Sequence, residues 1–154
     1  MTRVGVISDT HGLVRPEALS ALRGSARIVH AGDIGNAAVL AELEALAPVT
    51  AVRGNNDHGV WAEAIADTAR LQVDDVAIFV VHDVAELRRA PPPPDCRVVV
   101  SGHSHKPGVV ERDGILWVNP GSAGPRRFRL PIAVAELEIA GADVRARIVE
   151  LEIG

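Results

Sequence analysis

The sequence predicts an α/β fold in which two β-sheets pack face to face with helices outside. Three observations point there. Short β-branched runs recur at Val4 to Ser8, Ile28 to His30, Val49 to Val52, Val76 to Val81 and Val98 to Val100. In the first half these runs alternate with helical segments, which marks a parallel α/β layer. The second half carries hairpin signals instead, which marks antiparallel pairing.

In chain order, Val4 to Ser8 opens the fold and a helix follows near Pro16 to Leu22. Ile28 to His30 then leads into a helix from about Ala37 to Leu46, with Leu40, Leu43 and Leu46 on one side. After Val49 to Val52, the region Trp61 to Val73 combines a short helical stretch with a strand, and the Asp74-Asp75 turn returns the chain into Val76 to Val81. Val84 to Arg89 reads as a helix. The four residues Pro91 to Pro94 favour polyproline II and cannot donate hydrogen bonds, so they form a stiff connector or a partner motif. Cys96, directly before the strand Arg97 to Ser101, reads as a small packing residue. Asp113-Gly114, between Val109 to Arg112 and Ile115 to Val118, predicts a type I′ turn. Gly141-Ala142-Asp143 separates Ile132 to Ile139 from Val144 to Ile153. There Glu136, Glu138, Arg145 and Arg147 alternate with apolar neighbours, the pattern of half-exposed strands.

The whole chain bounds the function. Its 154 residues make a single domain, 1–154, with room for a proper core. A mean hydropathy of +0.16 without an apolar stretch of about 18 residues argues against a membrane span. One cysteine excludes a disulfide framework, and the N-terminus runs into a strand without a basic leader, so a cytoplasmic location is expected. A net charge of −4 without a basic run argues against bulk nucleic-acid binding. Lys106 is the only lysine among 16 basic residues, a bias of composition.

The chemistry lies where the strands end. Ser8-Asp9-Thr10-His11-Gly12, Ala31-Gly32-Asp33, Arg53-Gly54-Asn55-Asn56-Asp57, Val81-His82-Asp83 and Ser101-Gly102-His103-Ser104-His105 each follow an apolar run. Loops leaving the carboxyl ends of strands share one edge of an open α/β sheet, so these five converge. Asp9, His11, Asp33, Asn55, His82, His103 and His105 offer carboxylate, imidazole and amide oxygen, a set suited to divalent first-row ions. Asp9-x-His11 and His103-x-His105 each project two donors to one side of an extended segment. Flanking glycines permit the sharp turns such loops need. His30, at the end of a buried strand, reads as a neutral, hydrogen-bonded core histidine.

Taken in order, Asp-x-His, Gly-Asp, Gly-Asn, a lone strand-end His and Gly-His-x-His resemble the calcineurin-like metallophosphoesterases, especially the small phosphodiesterases of the YfcE type. Asn119-Pro120-Gly121-Ser122 resembles that subfamily too. The resemblance implies a four-layer αββα sandwich of two mixed β-sheets. It also implies two divalent metal ions per chain, with Mn²⁺ expected and Ni²⁺, Co²⁺, Fe²⁺ or Zn²⁺ as alternatives. One ion would take Asp9, His11 and His105, the second Asn55, His82 and His103, and Asp33 would bridge them. A hydroxide between two such ions attacks a phosphate ester in line, without a protein nucleophile. Asp33, Asn55 and His82 would thereby count as catalytic. Homodimers or homotetramers occur among the small relatives.

Departures from the family pattern matter. Many larger relatives have a histidine directly after the asparagine, where this chain has Asn56; His58 is either a stand-in or a plain loop histidine. Where the family usually has His-Gly, this chain has His82-Asp83, and Asp83 reads as a helix cap in preference to a partner for a ligating imidazole. Asn56, His58 and Arg126 are candidate contacts to a small phosphate-ester substrate. Arg126, Arg127 and Arg129 share the loop after Ser122, where a guanidinium could hold a second phosphate or carboxylate. The expected activity is phosphodiester or phosphomonoester hydrolysis with a preference for good leaving groups such as aryl alcohols. Two rivals remain open: a non-catalytic metal-binding scaffold, resembling the small subunit of the retromer sorting complex, and a metal-dependent hydrolase of non-phosphate substrates.

Overall fold

A computed structural model describes residues 1–153. The elements run β1 (Thr2–Ile7), α1 (Pro16–Leu22), β2 (Arg27–His30), α2 (Ala37–Glu44), β3 (Val49–Ala51), α3 (Val60–Glu63), β4 (Thr68–Val73) and β5 (Val76–Val81). A 3₁₀ helix (Val84–Arg88) follows, then β6 (Val98–Val100), β7 (Gly108–Arg112), β8 (Ile115–Asn119), β9 (Ala133–Ala140) and β10 (Asp143–Glu150). The strands form two five-stranded mixed sheets, in the orders β10-β9-β1-β2-β3 and β4-β5-β6-β8-β7. The expected α/β sandwich of two mixed sheets is therefore what the chain adopts.

Each sheet has three parallel strands, β1-β2-β3 in one and β5-β6-β8 in the other; antiparallel β9 and β10 extend the first on one side, and antiparallel β4 and β7 flank the second. The sheets pack through one apolar layer. Val4, Val6, Val29, Leu137 and Ile139 face Val76, Ile78, Val80, Val98 and Val100 across it. These central strands read as continuous apolar runs because both their faces are covered. The outer face of the first sheet carries a second cluster, where Ile7 and Ile28 meet Ala18 and Leu22 of α1 and Val39 and Leu43 of α2.

The outer face of the second sheet is covered more lightly. Phe79, Val81, Cys96 and Val99 cluster there under Leu87 of the 3₁₀ helix. The expected helix Val84 to Arg89 is thus a 3₁₀ helix ending at Arg88, and Asp83 caps it by accepting the Ala85 N–H at 3.0 Å. Cys96 is buried, and burial pushes its thiol pKa up, which suits a packing role. α2 starts at Ala37 as expected, with Asn36 Oδ1 accepting from Val39 N, but ends at Glu44. At Asp113-Gly114 both residues have positive φ, 54° and 78°, and Arg112 pairs directly with Ile115, as a type I′ turn requires.

Ile78 is fully buried between the sheets. Ile78→Ala is expected to lower unfolding free energy by about 2–5 kcal/mol, read as a lower urea midpoint with little change in slope.

Candidate metal centre

Backbone pairing continues past the strand ends and carries the ligand-bearing loops with it. Asp9 N donates to Gly32 O at 3.0 Å, His11 N to Asp33 O at 2.9 Å and Val52 N to His30 O at 3.1 Å. In the second sheet Gly102 N donates to His82 O at 2.9 Å and Ser101 N to Val118 O at 3.0 Å. All five segments therefore meet along one edge of the sandwich. Asp9, His11, Asp33, His103 and His105 all adopt left-handed backbone, with φ between 48° and 71°. Non-glycine residues in that region mark turns or stored strain, which concentrates at functional sites.

Two triads result. Ligand atoms of Asp9, His11 and His105 lie within 4.8 Å of one another, and so do those of Asp33, His82 and His103. Asp33 Oδ2 stands 3.3 Å from His82 Nε2 and 3.8 Å from His11 Nε2, so a single carboxylate oxygen faces both groups. His82 Nδ1 donates to Ala31 O at 2.7 Å, which turns Nε2 toward Asn55 Oδ1 at 3.0 Å and Asp33 Oδ2. All seven sequence-predicted ligand residues are thus brought together.

The electrostatics are those of a site built for cations. Asp9 Oδ1 and His11 Nε2 are buried and have no hydrogen-bond partner among the described residues. Leaving buried lone pairs unmatched costs about 1–3 kcal/mol each, so a cation is their natural complement. Asp33 resists burial's upward push on its pKa: hydrogen bonds from His82 and from the Asn56 backbone and side chain hold its carboxyl well below the usual range. Burial likewise opposes a proton on His82, but the hydrogen bonds to Asp33 and Ala31 and the Asp33 charge outweigh it and raise its pKa to about 9. Burial lowers the pKa of His105, with the Arg127 charge acting in the same direction and Asp9 against it. The two donor groups therefore fit divalent cations.

Close approach also explains two glycines. A Cβ on Gly54 would collide with Asp33, and one on Gly102 would collide with Ser8 and Asp9. The loops can converge only because those positions carry no side chain.

The supporting residues were only partly visible in the sequence. Asn56 is exposed, yet its backbone N–H and side-chain amide both donate to Asp33, at 2.9 and 3.1 Å. Asp57 received no role from its sequence position. It is buried and accepts from Ile34 N, Gly35 N and Gly54 N at 3.2, 3.0 and 2.8 Å, clamping the Asp33 loop to the Asn55 loop. A Gly-x-x-Asp spacing offers no more than a turn signal. Asn119 Nδ2 donates to Gly102 O at 3.1 Å, and Ser122 Oγ donates to Asp9 O at 3.0 Å, so the Asn119 to Ser122 segment braces both triads. Asp83 Oδ2 also lies 3.7 Å from His103 Nε2, so the cap residue is at the site as well. His58 lines a cleft of about 320 Å³ beside Asn55, His82 and His103, and Arg126 lines another of about 270 Å³ beside His11 and His105.

His30 lies beneath the site and is fully buried. Its Nδ1 accepts from Gly32 N at 3.1 Å and Nε2 donates to Thr10 Oγ1 at 3.0 Å, a neutral tautomer. Burial, opposed by Asp57 and reinforced by His82, depresses its pKa to about 3. The folded form then refuses a proton that the unfolded chain accepts near its ordinary pKa of about 6.5. Stability is present above about 6.5 and is lost as pH falls toward 3. Urea midpoints of metal-free protein are expected to drop between pH 6.5 and 4.5, with a flatter slope in His30→Asn. Asp57→Asn, which keeps one acceptor oxygen and adds donors facing N–H groups, is expected to cost about 1–3 kcal/mol in the same measurement at pH 7.5.

Comparison with known proteins agrees with this geometry. The Calcineurin-like phosphoesterase superfamily domain matches residues 2–142. A probable metallophosphoesterase from Methanothermobacter thermautotrophicus is 35% identical over 159 residues, covering 95% of this chain and 91% of that protein. A phosphodiesterase from Methanocaldococcus jannaschii is 29% identical, covering 77% of this chain and 82% of that one. Among solved structures, a novel archaeal phosphodiesterase superposes with a TM-score of 0.78 at 25% identity, covering 96% of this chain and 100% of that one. A single mutant of Vps29 from Entamoeba histolytica superposes at 0.76 with 22% identity, covering 98% and 100%, a likeness of fold. With its strand-end donor residues gathered at one edge, this chain belongs to the calcineurin-like phosphoesterase superfamily.

Proposed function

We propose that the protein is a metal-dependent phosphoesterase acting chiefly on phosphodiesters. Asp9, His11 and His105 would hold one divalent ion, Asn55, His82 and His103 a second, and Asp33 would bridge them. The carrying observation is that Asp33 Oδ2 faces His11 Nε2 and His82 Nε2 at once, with Asn55 Oδ1 also on His82 Nε2. When bound, such ions supply Lewis acidity, making water nucleophilic near neutral pH and neutralising phosphoryl oxygens. Mn²⁺ is the proposed ion; Ni²⁺, Co²⁺, Fe²⁺ and Zn²⁺ suit the same nitrogen and oxygen donors.

The chain's own residues then orient and hold. Ala31 O fixes the His82 tautomer, Asn56 holds Asp33 with two donors, and Ser8 Oγ donates to Asp9 Oδ2 at 2.6 Å. Such supporting partners typically contribute 10–100-fold to metal affinity, and about that loss is expected for Asn56→Ala by calorimetric titration with Mn²⁺. Leaving-group protonation has weaker support. His58 lines the adjoining cleft but is hydrogen-bonded to none of the seven ligand residues. Aryl diesters should therefore be hydrolysed faster than alkyl diesters.

The fold likeness to Vps29 favours a second reading, a non-catalytic metal-binding scaffold. Here all seven donor positions carry competent ligands and converge, which supports catalysis.

The test is hydrolysis of bis-p-nitrophenyl phosphate by metal-stripped protein with single metals restored. Activity is expected to return with Mn²⁺ and to fall at least about 100-fold in Asp33→Asn and His82→Ala, both still folded by circular dichroism. Metal binding by the wild type without hydrolysis of any diester or monoester would instead favour the scaffold. Equal rates on alkyl and nitrophenyl diesters would remove the leaving-group preference.

A further inference from the structure

We propose that Arg126 and Arg127 form an anion subsite at the His11–His105 end of the centre, selecting phosphate esters that carry a second phosphoryl group beside the scissile one. The inference rests on the phosphoesterase reading above and names its substrate class.

Both arginines line the cleft of about 270 Å³ that they share with His11, His105 and Pro125. A group seated there is adjacent to the Asp9–His11–His105 triad by construction. Neither guanidinium makes a hydrogen bond or ion pair among the described residues. Elsewhere Arg53 pairs with Asp67, Arg70 with Asp95, Arg97 with Glu111 and Arg147 with Glu136, and the exposed Arg23, Arg88, Arg89 and Arg129, unpaired among the described residues, do not line this cleft. In a chain of net charge −4, two neighbouring unneutralised guanidinia at the site form a local cationic rim. Each presents a planar fork matched to phosphate oxygens.

The chain just before them, Ser122 to Gly124, is fixed relative to the centre. Ser122 Oγ donates to Asp9 O at 3.0 Å, Ala123 N to Ser8 O at 3.1 Å and Ala133 N to Ser122 O at 3.0 Å. Gly124 lies against the Asp9–Thr10 backbone so closely that a Cβ would collide with it, and Arg15 donates to Gly124 O at 3.2 Å. The opposite cleft has the contrary character. Asp67, Asp83 and Glu86 line it, and its Arg53 is already paired with Asp67. An anionic substituent is therefore repelled at the His82–His103 end and attracted at the His11–His105 end, which gives the substrate a direction across the site.

The test uses metal-loaded protein and two esters, thymidine 5′-(p-nitrophenyl phosphate) and the same compound bearing a 3′-phosphate. The 3′-phosphate is expected to raise kcat/KM about tenfold, mainly through KM, and the gain should shrink as salt is added. In the Arg126→Gln, Arg127→Gln double variant the ratio between the esters should fall to near one. Calorimetric titration with methylenebisphosphonate and methylphosphonate gives a reading independent of turnover: the excess affinity for the former should depend on the two arginines. Equal kcat/KM for the two esters in the wild type, or an unchanged ratio in the double variant, overturns the subsite while hydrolysis itself leaves the phosphoesterase reading standing. If neither ester is hydrolysed, that reading falls, and a bisphosphonate affinity indifferent to the double substitution overturns the subsite as well.

Discussion

Everything at the functional edge is arranged around the Asp33 carboxylate. Asn56 donates to both its oxygens, the backbone N–H to Oδ1 and the side-chain amide to Oδ2, and Oδ2 also faces the imidazole nitrogens of His11 and His82. Burial alone pushes its pKa up, and the His82 contact together with the Asn56 donors outweighs that push. The loop after β3 supplies them, and it can reach Asp33 only because Gly54 has no side chain and Asp57 ties that loop to the one after β2. The parallel strands of the two sheets exist, in functional terms, to deliver those loops to one edge.

That constraint explains the uneven burial of the site. Asp9, Asp33, His82 and His105 are buried, whereas Asn55 and His103 are exposed. Of the buried donors, Asp9, Asp33 and His82 are fixed by side-chain hydrogen bonds, so little reorganisation remains there when charge arrives. The exposed pair opens onto the cleft where His58 stands. Strain is stored in the same place, since five of the seven proposed ligand residues hold left-handed backbone that the paired loops impose.

Much of this was legible in the sequence for simple reasons. β-branched runs reveal buried strands because both faces of β1, β5 and β6 are covered, and Asp113-Gly114 reveals its hairpin because only a two-residue turn of positive φ closes it. The convergence of the seven candidate ligand residues was legible because each follows such a run. Strand order was not, since nothing local tells that β1 pairs with β9 at a separation of more than a hundred residues. Asp57 escaped notice because its partners are backbone N–H groups, which leave no trace in residue identity. The light covering of the second sheet escaped too, because Val84 to Arg89 has the composition of a helix but only Leu87 packs inward.

The central claim is that these residues are preorganised to hold two divalent ions bridged by Asp33. Anomalous diffraction from crystals grown with Mn²⁺ tests it most directly. The account predicts two peaks about 3.5–4 Å apart, one beside Asp9, His11 and His105, the other beside Asn55, His82 and His103, with Asp33 between them. A single peak, or two that leave Asp33 uncoordinated, would contradict it.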